Sequence, residues 1–416
     1  MAPLAASAKR ATAKASSSAA RGEIPGNPEI PGNTDEAQVA VRGGTVKLTN
    51  LQKVFWPELA LTKRDLLQYY LDVSPWLLPH LKDRAMVMKR YPNGIDGEFF
   101  FMKRAPSPRP AFVKICSIKH HSGNVIDFPV IEHAASLLWV VNLGCIDLNP
   151  WYSRCDDVER PDYLHFDLDP VEGASFGLVL ETALLVRAAL AELKIPSYAK
   201  TTGSRGVHVY VPIVRGPLQK QVWEFAKAFA KELEKRHPKI VTAEYRVAKR
   251  PTGHVLVDYN QNAWNRTLAS VYSVRPKPAA TVSAPVTWKE VERGVRLEDF
   301  TMQTVPQRLK NSATSGSRCW RNAGACAWRS FCDAADCAKL RAYGGAACRG
   351  AARRPAMAIR AQMGRIPLPR VSRRSARRSG IEIGQAVDAI LPGSRGGARG
   401  VEGEKVRAGW GDRDSS

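Results

Sequence analysis

The segment from Tyr163 to Pro170 carries the residues whose types and spacing indicate chemistry most clearly. Apolar and polar residues alternate along it, as they do along a β-strand with one buried face. The alternation places His165, Asp167 and Asp169 together on the polar face. Two neighbouring carboxylates repel each other, and a divalent cation such as Mg²⁺ or Mn²⁺ removes that repulsion. The alternative interpretation is a strand that ends in solvent with both aspartates hydrated.

A second motif is the small turn from Thr201 to Gly206, which leads into another strand-like stretch. A turn rich in Thr, Gly and Ser exposes backbone N–H groups and hydroxyls. Arg205 and His208 stand alongside, and this combination of donors suits a triphosphate. The alternative is an ordinary hairpin turn without a ligand.

Two further residues complete the set. Asp258 ends the apolar segment His254–Tyr259, and Arg275 precedes a proline in an extended stretch. Two aspartates on one strand and a third on a neighbour form the oxygen cage of two-metal sites, which clamp the attacking and leaving oxygens of a phosphoryl displacement. The guanidinium of Arg275 can meet a phosphate. Alternatively, Asp258 caps a turn and Arg275 is simply solvated.

Composition bounds the class of protein. A chain of 416 residues allows two or three domains, and its net charge of +23 indicates a polyanionic partner. No apolar run approaches the length of a membrane span, so we expect no membrane association. Of the eight cysteines, the three before residue 311 have a spacing that indicates neither a zinc site nor a disulfide framework. These features favour the cytoplasm, a reducing compartment.

Amino-acid composition changes along the chain and predicts three segments. Residues 1–44 are rich in Ala, Ser, Lys, Gly and Pro, which is typical of a disordered linker. Residues 45–310 have the patterns of a globular domain. Residues 311–416 are dominated by Arg, Ala, Gly and Cys, carry +12 of the net charge, and lack helical periodicity. We expect this tail to be disordered or to be translated from a shifted reading frame.

Helix-like and strand-like segments alternate within the globular part, which predicts a mixed α/β (α+β) fold. One predicted helix begins near Thr62, and three others span Ile131–Asn142, Ser175–Leu193 and Val222–Arg236. The predicted strands are Met86–Tyr91, Tyr163–Asp169, Val207–Ile213 and His254–Tyr259.

Taken together, the motifs closely resemble the polymerase domain of bacterial ATP-dependent DNA ligase D, a member of the archaeo-eukaryotic primase superfamily that acts in non-homologous end joining. The resemblance covers roughly residues 46–310. The matching motifs are Asp167-x-Asp169, Thr202-Gly203-Ser204-Arg205-Gly206-x-His208, Asp258-Tyr259-x-Gln261-Asn262 and Tyr272-Ser273-Val274-Arg275-Pro276. No Lys-x-Asp-Gly ligase motif is present in the sequence.

The resemblance implies a primase-type polymerase fold with an RNA-recognition-like β-sheet core and a second α/β portion. It also implies a role for individual residues. The two metal ions, Mn²⁺ or Mg²⁺, would be held by the catalytic residues Asp167, Asp169 and Asp258. The incoming nucleoside triphosphate would be bound by Lys89, Asn149, Thr202, Arg205, His208, Gln261 and Arg275. The DNA 5′-phosphate would be bound by Lys53 and Lys63, and the template strand would stack on Phe100 and Phe101.

The function that the resemblance implies is template-directed nucleotidyl transfer, with a preference for ribonucleotides, at broken or gapped DNA ends. Its implied partners are DNA ends, gapped duplex, Ku and a DNA ligase domain or protein, in a nucleoid-associated cytoplasmic setting. Two alternatives stay open at this point. One is a primase that starts strands without a primer, and the other is an inactive DNA-end binder. Lys53 and Lys63 could also be plain surface lysines, and the two phenylalanines could belong to the core.

Overall fold

The computed structural model describes residues 27–120 and 122–314, with side chains up to residue 311. Helices of six or more residues are α1 Lys63–Leu81, α2 Ala134–Asn142, α3 Phe176–Glu192, α4 Gln219–Arg236, α5 Trp288–Arg293 and α6 Thr304–Thr314. The strands are β1 Glu36–Val41, β2 Gly44–Thr49, β3 Val54–Trp56, β4 Leu61–Thr62, β5 Met86–Arg90, β6 Phe100–Met102, β7 Lys114–Lys119, β8 Val125–Val130, β9 Cys145–Pro150, β10 Tyr163–Pro170, β11 Tyr198–Thr201, β12 Val207–Pro212, β13 Val241–Thr242, β14 Val255–Asp258 and β15 Pro285–Val286.

The largest sheet has six strands in the order β13-β14-β10-β12-β11-β15. Only the pairing of β13 with β14 is parallel within it. The elements β10-α3-β11-β12-α4-β14 form a βαββαβ unit, and its four strands lie in the antiparallel order 4-1-3-2. This split-βαβ arrangement is the one found in RNA-recognition-type sheets. The predicted mixed α/β class and the predicted sheet core are therefore confirmed.

Helices α3 and α4 cover one face of this sheet. Leu164, Phe166 and Leu168 of β10 are buried on that face, and the ring of Phe166 lies 4.8 Å from that of Phe229 in α4. Because side chains alternate along a strand, the neighbouring acidic residues must point to the opposite face. Packing of the apolar face of β10 against the helices therefore fixes the strand and, with it, the acidic residues on its other face.

The second α/β portion contains the sheet β6-β5-β9 and helices α1 and α2. Thr62 caps α1 in a reciprocal capping box with Asp65, at the predicted start of the helix. The hydroxyl of Tyr70 in α1 donates to the carbonyl of Ile146 in β9 at 2.6 Å and accepts from the backbone N–H of Val274 at 3.0 Å. One buried side chain therefore ties the segment around Val274 to both α1 and β9.

The expected boundaries of the globular part need correction at both ends. Strand β1 and the buried Ile30 lie inside the segment that we expected to be linker, and the backbone N–H of Ile30 donates to Gln68 of α1. The expectation is wrong for residues 27–44 and falls outside the described residues for 1–26. At the other end, α6 continues past residue 311 to Thr314. The remaining tail, residues 315–416, lies outside the described residues.

The cysteine interpretation is also wrong in one respect. Cys116 of β7 and Cys155 form a disulfide bond across 39 residues of sequence, with a Cα–Cα distance of 5.8 Å. That distance lies within the normal range for disulfides. The fold brings them together beside Phe128 and Trp151 in a small apolar cluster, a proximity that no spacing rule could show. Among the helices of the described part of the chain, none is long and apolar enough to cross a membrane.

The packing of β10 on α4 predicts a large stability cost for one substitution. Phe166→Ala removes a ring that is fully buried, and such a cavity costs about 3–5 kcal/mol. Val247→Ala is the control, because Val247 is 75 % exposed and should change stability by less than about 0.5 kcal/mol. Urea unfolding followed by circular dichroism measures both. Equal midpoints for the two variants would contradict this packing.

Candidate active site

A row of four polar side chains crosses the six-stranded sheet on the face opposite α3 and α4. In the strand registers, Asp258 of β14 lies opposite Asp167 of β10, Asp167 lies opposite His208 of β12, and His208 lies opposite Lys200 of β11. Directly opposite residues of paired strands share one face of a sheet. The structure therefore brings together Asp167, Asp258 and His208, which the sequence motifs singled out separately.

Asp169 extends the row along β10, two residues beyond Asp167 and on the same face. Gly206 allows the turn before β12 to approach it closely. A Cβ atom at Gly206 would lie 2.1 Å from the carbonyl oxygen of Leu168 and 3.2 Å from Oδ1 of Asp169. Glycine is thus required at this position by space, and any larger residue would displace the strand that carries the carboxylates.

The pKa values of the three carboxyl groups are raised because the groups lie close together and are largely buried. Burial raises the pKa of Asp167 to about 6, against the positive charges of Lys200, Arg275 and Arg205. The negative charge of Asp167, followed by burial, raises the pKa of Asp169 to about 7. Burial and the charge of Asp167 also raise the pKa of Asp258. The group therefore favours protons or other cations in its midst.

Asp167 retains unused bonding capacity. Nε2 of His208 lies 3.1 Å from Oδ1 of Asp167, and burial lowers the pKa of His208, so this contact joins a neutral imidazole to the carboxyl group. The contact lacks the geometry of a hydrogen bond, and within the described residues Oδ1 has no hydrogen-bond partner. A buried carboxylate oxygen without a partner is costly. A cation bound at this oxygen would remove that cost.

Asp258 is held from its own turn. The backbone N–H of Asn260 donates to Oδ1 at 2.7 Å, and Nε2 of Gln261 donates to Oδ2 at 3.1 Å. Asn262 fixes the turn to β10 by exchanging hydrogen bonds with the backbone N–H and carbonyl of His165. Gln261, a predicted nucleotide ligand, is thus placed beside a predicted metal ligand, and Asn262 has a structural role.

The turn between β11 and β12 differs from the prediction in one detail. The hydroxyl of Thr202 accepts hydrogen bonds from the backbone N–H groups of Ser204, Arg205 and Gly206, at 3.0–3.2 Å. The prediction that these amides are available to a phosphate is wrong, because the threonine hydroxyl occupies them. The side chain of Arg205 is exposed at the tip of the turn, where its charge acts on Asp167 and Asp169.

Arg275 links this turn to the second α/β portion. Its Nη1 donates to the carbonyl of Thr202 at 3.2 Å, and its Nε lies 3.5 Å from Oδ2 of Asp147 in β9. Gly203 allows the close approach: its φ is +64°, and a Cβ atom there would lie 2.8 Å from Cγ of Arg275. The predicted phosphate ligand Arg275 therefore lies against the predicted triphosphate turn.

Two other predicted nucleotide ligands lie on the same side of the β6-β5-β9 sheet. Lys89 of β5 is directly opposite Asp147, and the buried Asn149 of β9 donates to the carbonyl of Asp147 at 3.1 Å. Burial lowers the pKa of Lys89, whereas the charge of Asp147 raises it. Lys89 thus lies beside the same carboxylate as Arg275.

The two phenylalanines proposed to stack on template are exposed. Phe100 and Phe101 of the edge strand β6 are 44 % and 54 % exposed, and the adjacent Phe99 is 50 % exposed, which rules out the alternative that they belong to the core. Nζ of Lys89 lies 4.0 Å from the centre of the Phe99 ring, and the guanidinium of Arg90 lies 5.1 Å from that of Phe100. An exposed aromatic surface with cations suits stacking on bases.

Lys53 and Lys63 form a separate pair. The backbone N–H of Lys63 donates to the carbonyl of Lys53, whose exposed Nζ donates to Oδ1 of Asn93 at 2.7 Å. Lys63 is only 4 % exposed and donates to the carbonyl of Thr49. Burial, followed by the charge of Lys53, lowers the pKa of Lys63 to about 8. These lysines lie close together, as one phosphate site requires, and Lys63 is not a plain surface residue.

The sequence motifs did not single out three charged residues near Asp167, Asp169 and Asp258. These are Asp147, Lys200 and Arg250. Lys200 is fully buried, and its Nζ donates to Oγ of Ser283. Arg250 lowers the raised pKa values of Asp169 and Asp258. A signal was present for Asp147, because it is a charged residue between Ile146 and Leu148 inside a short strand. The partner charges that explain Asp147 are distant in sequence.

The side chains of Asp167, Asp169 and Asp258 suit a divalent cation, since they offer carboxylate oxygens, one of which has no hydrogen-bond partner among the described residues. Among residues 27–120 and 122–314, however, no three His, Cys, Asp or Glu side chains are placed as a formed metal-binding group. The site therefore presents the predicted ligands on one face without closing them into a cage.

Comparison with known proteins places this site in a family. The family described as "LigD, primase-polymerase domain" matches residues 62–315. The multifunctional non-homologous end joining protein LigD of Mycolicibacterium smegmatis is 35 % identical over 248 residues, which cover 59 % of this chain and 32 % of that protein. The bifunctional LigD of Bacillus subtilis is 30 % identical over 278 residues, covering 67 % of this chain and 44 % of that protein.

The matched part of the chain thus covers 32 % and 44 % of the length of these two relatives. A solved structure described as the polymerase domain from Mycobacterium tuberculosis ligase D in complex with DNA superposes with a TM-score of 0.60 and 30 % sequence identity. The match covers 64 % of this chain and 94 % of that one. The resemblance drawn from the motifs is confirmed, and the chain belongs to the LigD primase-polymerase domain family.

Proposed function

We propose that this chain catalyses template-directed nucleotidyl transfer, extending strands or filling gaps at the ends of broken DNA. The observation that carries the proposal is the alignment of Asp258 and Asp167 in one strand register beside the Thr202–Gly206 turn. Carboxylates that face each other next to a cluster of cations can accommodate both the metal ions and the triphosphate that such a reaction uses.

Asp167, Asp169 and Asp258 would hold two divalent cations, Mn²⁺ or Mg²⁺. When bound, these ions would activate the primer 3′-hydroxyl and neutralise the charge on the triphosphate. The unpartnered Oδ1 of Asp167 and the raised pKa values of the carboxyl groups support this assignment. His208, a predicted nucleotide ligand, lies 3.1 Å from Asp167 as a neutral imidazole and therefore would not form an ion pair with this carboxylate.

The other residues would bind and orient the nucleotide. Arg275 and Arg205 would neutralise phosphate charge on either side of the turn. Gln261 and Thr202 would line the site in positions set by Asp258 and by the backbone amides of the turn. Lys89 and Asn149 would close it from the β6-β5-β9 sheet. No covalent bond between the enzyme and the nucleotide is needed in this mechanism.

Several partners follow from the family. The solved relative was described in complex with DNA, and the longer relatives are non-homologous end joining proteins. We infer that this chain binds DNA ends and gapped duplex, with Lys53 and Lys63 at a 5′-phosphate and Phe100 and Phe101 on the template. Ku and a DNA ligase domain or protein are further proposed partners, in a nucleoid-associated cytoplasmic setting.

Removing one carboxylate tests the proposed chemistry. Asp167→Ala should abolish primer extension with Mn²⁺ while leaving DNA binding largely intact, because the substitution removes a cation ligand and no basic residue. A primed template with nucleoside triphosphates measures extension, and a gel shift measures binding. Glu298→Ala is the control, since its carboxylate lies outside the site and its side chain is 67 % exposed.

Full extension by Asp167→Ala would refute the assignment, and no extension by the unaltered chain would instead support an inactive DNA-end binder. The same assay without a primer distinguishes a primase. New strands started on bare template would favour primer-independent synthesis over the end-filling activity proposed above.

The pKa of Asp169 predicts a pH-dependent effect on stability. Its folded value of about 7 lies above the ordinary aspartate value. The metal-free fold therefore loses stability as pH rises from about 4 to about 7, because the unfolded chain ionises more readily. Asp169→Asn removes this loss. Without metal at pH 8 it should raise the unfolding temperature by about 2–4 °C, the shift expected for about 1 kcal/mol in a domain of this size.

The same thermal measurement tests the metal site. At about pH 3.5 the two proteins should unfold at nearly equal temperatures, because Asp169 is then largely protonated in both the folded and the unfolded chain. Mn²⁺ at pH 8 should stabilise the unaltered chain, since a ligand of the folded state raises its stability, and should stabilise Asp169→Asn much less. Equal responses to Mn²⁺ would place the ion elsewhere.

The lysine pair predicts dependence on a DNA 5′-phosphate. Lys53→Ala should weaken binding to a gapped duplex that carries a 5′-phosphate by about tenfold, since one charge-assisted contact contributes about 1.5 kcal/mol. Binding to the same duplex with a 5′-hydroxyl should change little. Fluorescence anisotropy measures both affinities. A loss of the same size on both duplexes would show that Lys53 contacts DNA in general and not this phosphate.

A further inference from the structure

Asp147 is a buried carboxylate that the proposed mechanism does not use. It lies in β9 between Ile146 and Leu148, and it is 2 % exposed. Its Oδ1 accepts a hydrogen bond from Oγ of Ser273 at 3.3 Å. A single neutral hydroxyl does not compensate a buried negative charge, so the surrounding cations must do so.

Two cations lie beside this carboxylate. Nε of Arg275 lies 3.5 Å from Oδ2, and Lys89 lies directly opposite on β5. The charge of Asp147 also acts on the buried Lys200 of β11, but burial lowers the pKa of Lys200 well below the ordinary lysine value, so Lys200 is not counted as a cation here. The two cations, Lys89 and Arg275, are among the residues that we propose bind the nucleotide.

The charges around Asp147 are unbalanced. Two basic side chains, Lys89 and Arg275, lie against this one carboxylate, and the charge of Arg275 also acts on Asp167. Arg275 does not form a complete hydrogen bond with Asp147, because its Nε has no hydrogen-bond partner among the described residues. A group of cations that holds one weakly bound internal anion can exchange it for a stronger external one.

We propose that Asp147 is a positioning residue that acts as a resident counter-anion for the polyphosphate site. It holds Lys89 and Arg275 in place before the nucleotide arrives, and it competes electrostatically with the triphosphate for them. This inference rests on the proposed function, whose triphosphate site it deepens. It does not require Asp147 to contact the nucleotide.

The competition gives Asp147 an unusual signature. Asp147→Asn keeps the shape of the side chain but removes its charge, so the cations become more available to an external anion. Inorganic tripolyphosphate, measured by calorimetry in EDTA at pH 7.5, should bind about threefold to tenfold more tightly, the scale of one partly screened charge interaction. Arg275→Gln, the matched comparison, should bind it more weakly.

Catalysis should move in the opposite direction. Asp147→Asn should lower both kcat and the KM for the nucleotide in primer extension, because the cations bind polyphosphate more tightly but are less well oriented. Asp147→Glu keeps the charge and should restore kcat at least in part. A residue with a merely structural role would weaken tripolyphosphate binding and catalysis together, and that result would overturn the proposal.

A second variant and the unaltered chain provide further outcomes that test the proposal. If Asp147→Asn does not fold, Asp147→Ser must show the same tighter binding, and weaker binding overturns the proposal. Failure of the unaltered chain to bind tripolyphosphate also overturns it, even if primers are extended. Conversely, tighter binding by Asp147→Asn in a chain that extends no primer would support the counter-anion and refute the proposed polymerase activity.

Discussion

The central constraint in this structure is the placement of Asp167 directly opposite Asp258 in an antiparallel pair of strands. Like charges facing each other on paired strands destabilise a sheet, and here burial adds to the cost. The protein does not cancel this repulsion with an ion pair at Asp167, where His208 is neutral. Under the proposed function, bound divalent cations would relieve this repulsion, and its energetic cost would favour their binding.

The rest of the fold keeps these carboxylates from relieving their repulsion by moving apart. Phe166 anchors β10 against α4 from the opposite face, and Asn260 and Gln261 fix Asp258 from its own turn. On the side proposed for the triphosphate, Arg275 joins the Thr202 turn to β9. A chain of charged contacts therefore joins the two portions of the molecule, and the candidate site lies along it.

Much of this could be predicted from local patterns. The alternation along β10 correctly separated a core face from an acidic face, and Thr62 correctly marked the start of α1, because both signals depend on neighbours in sequence. The disulfide between Cys116 and Cys155 and the role of Asp147 could not be predicted, since each depends on which distant strands become adjacent. The turn at Thr202 was located correctly, but its own hydroxyl takes the amides that seemed available.

The proposed chemistry depends most directly on cations occupying the space between the paired carboxylates. Diffraction from crystals of this chain soaked in Mn²⁺, collected at the manganese absorption edge, tests it. We expect anomalous-difference peaks at bonding distance from Asp167 and Asp258, with Asp169 beside them. Well-ordered carboxylates with no peak between them, at a Mn²⁺ concentration that supports primer extension, would contradict the account.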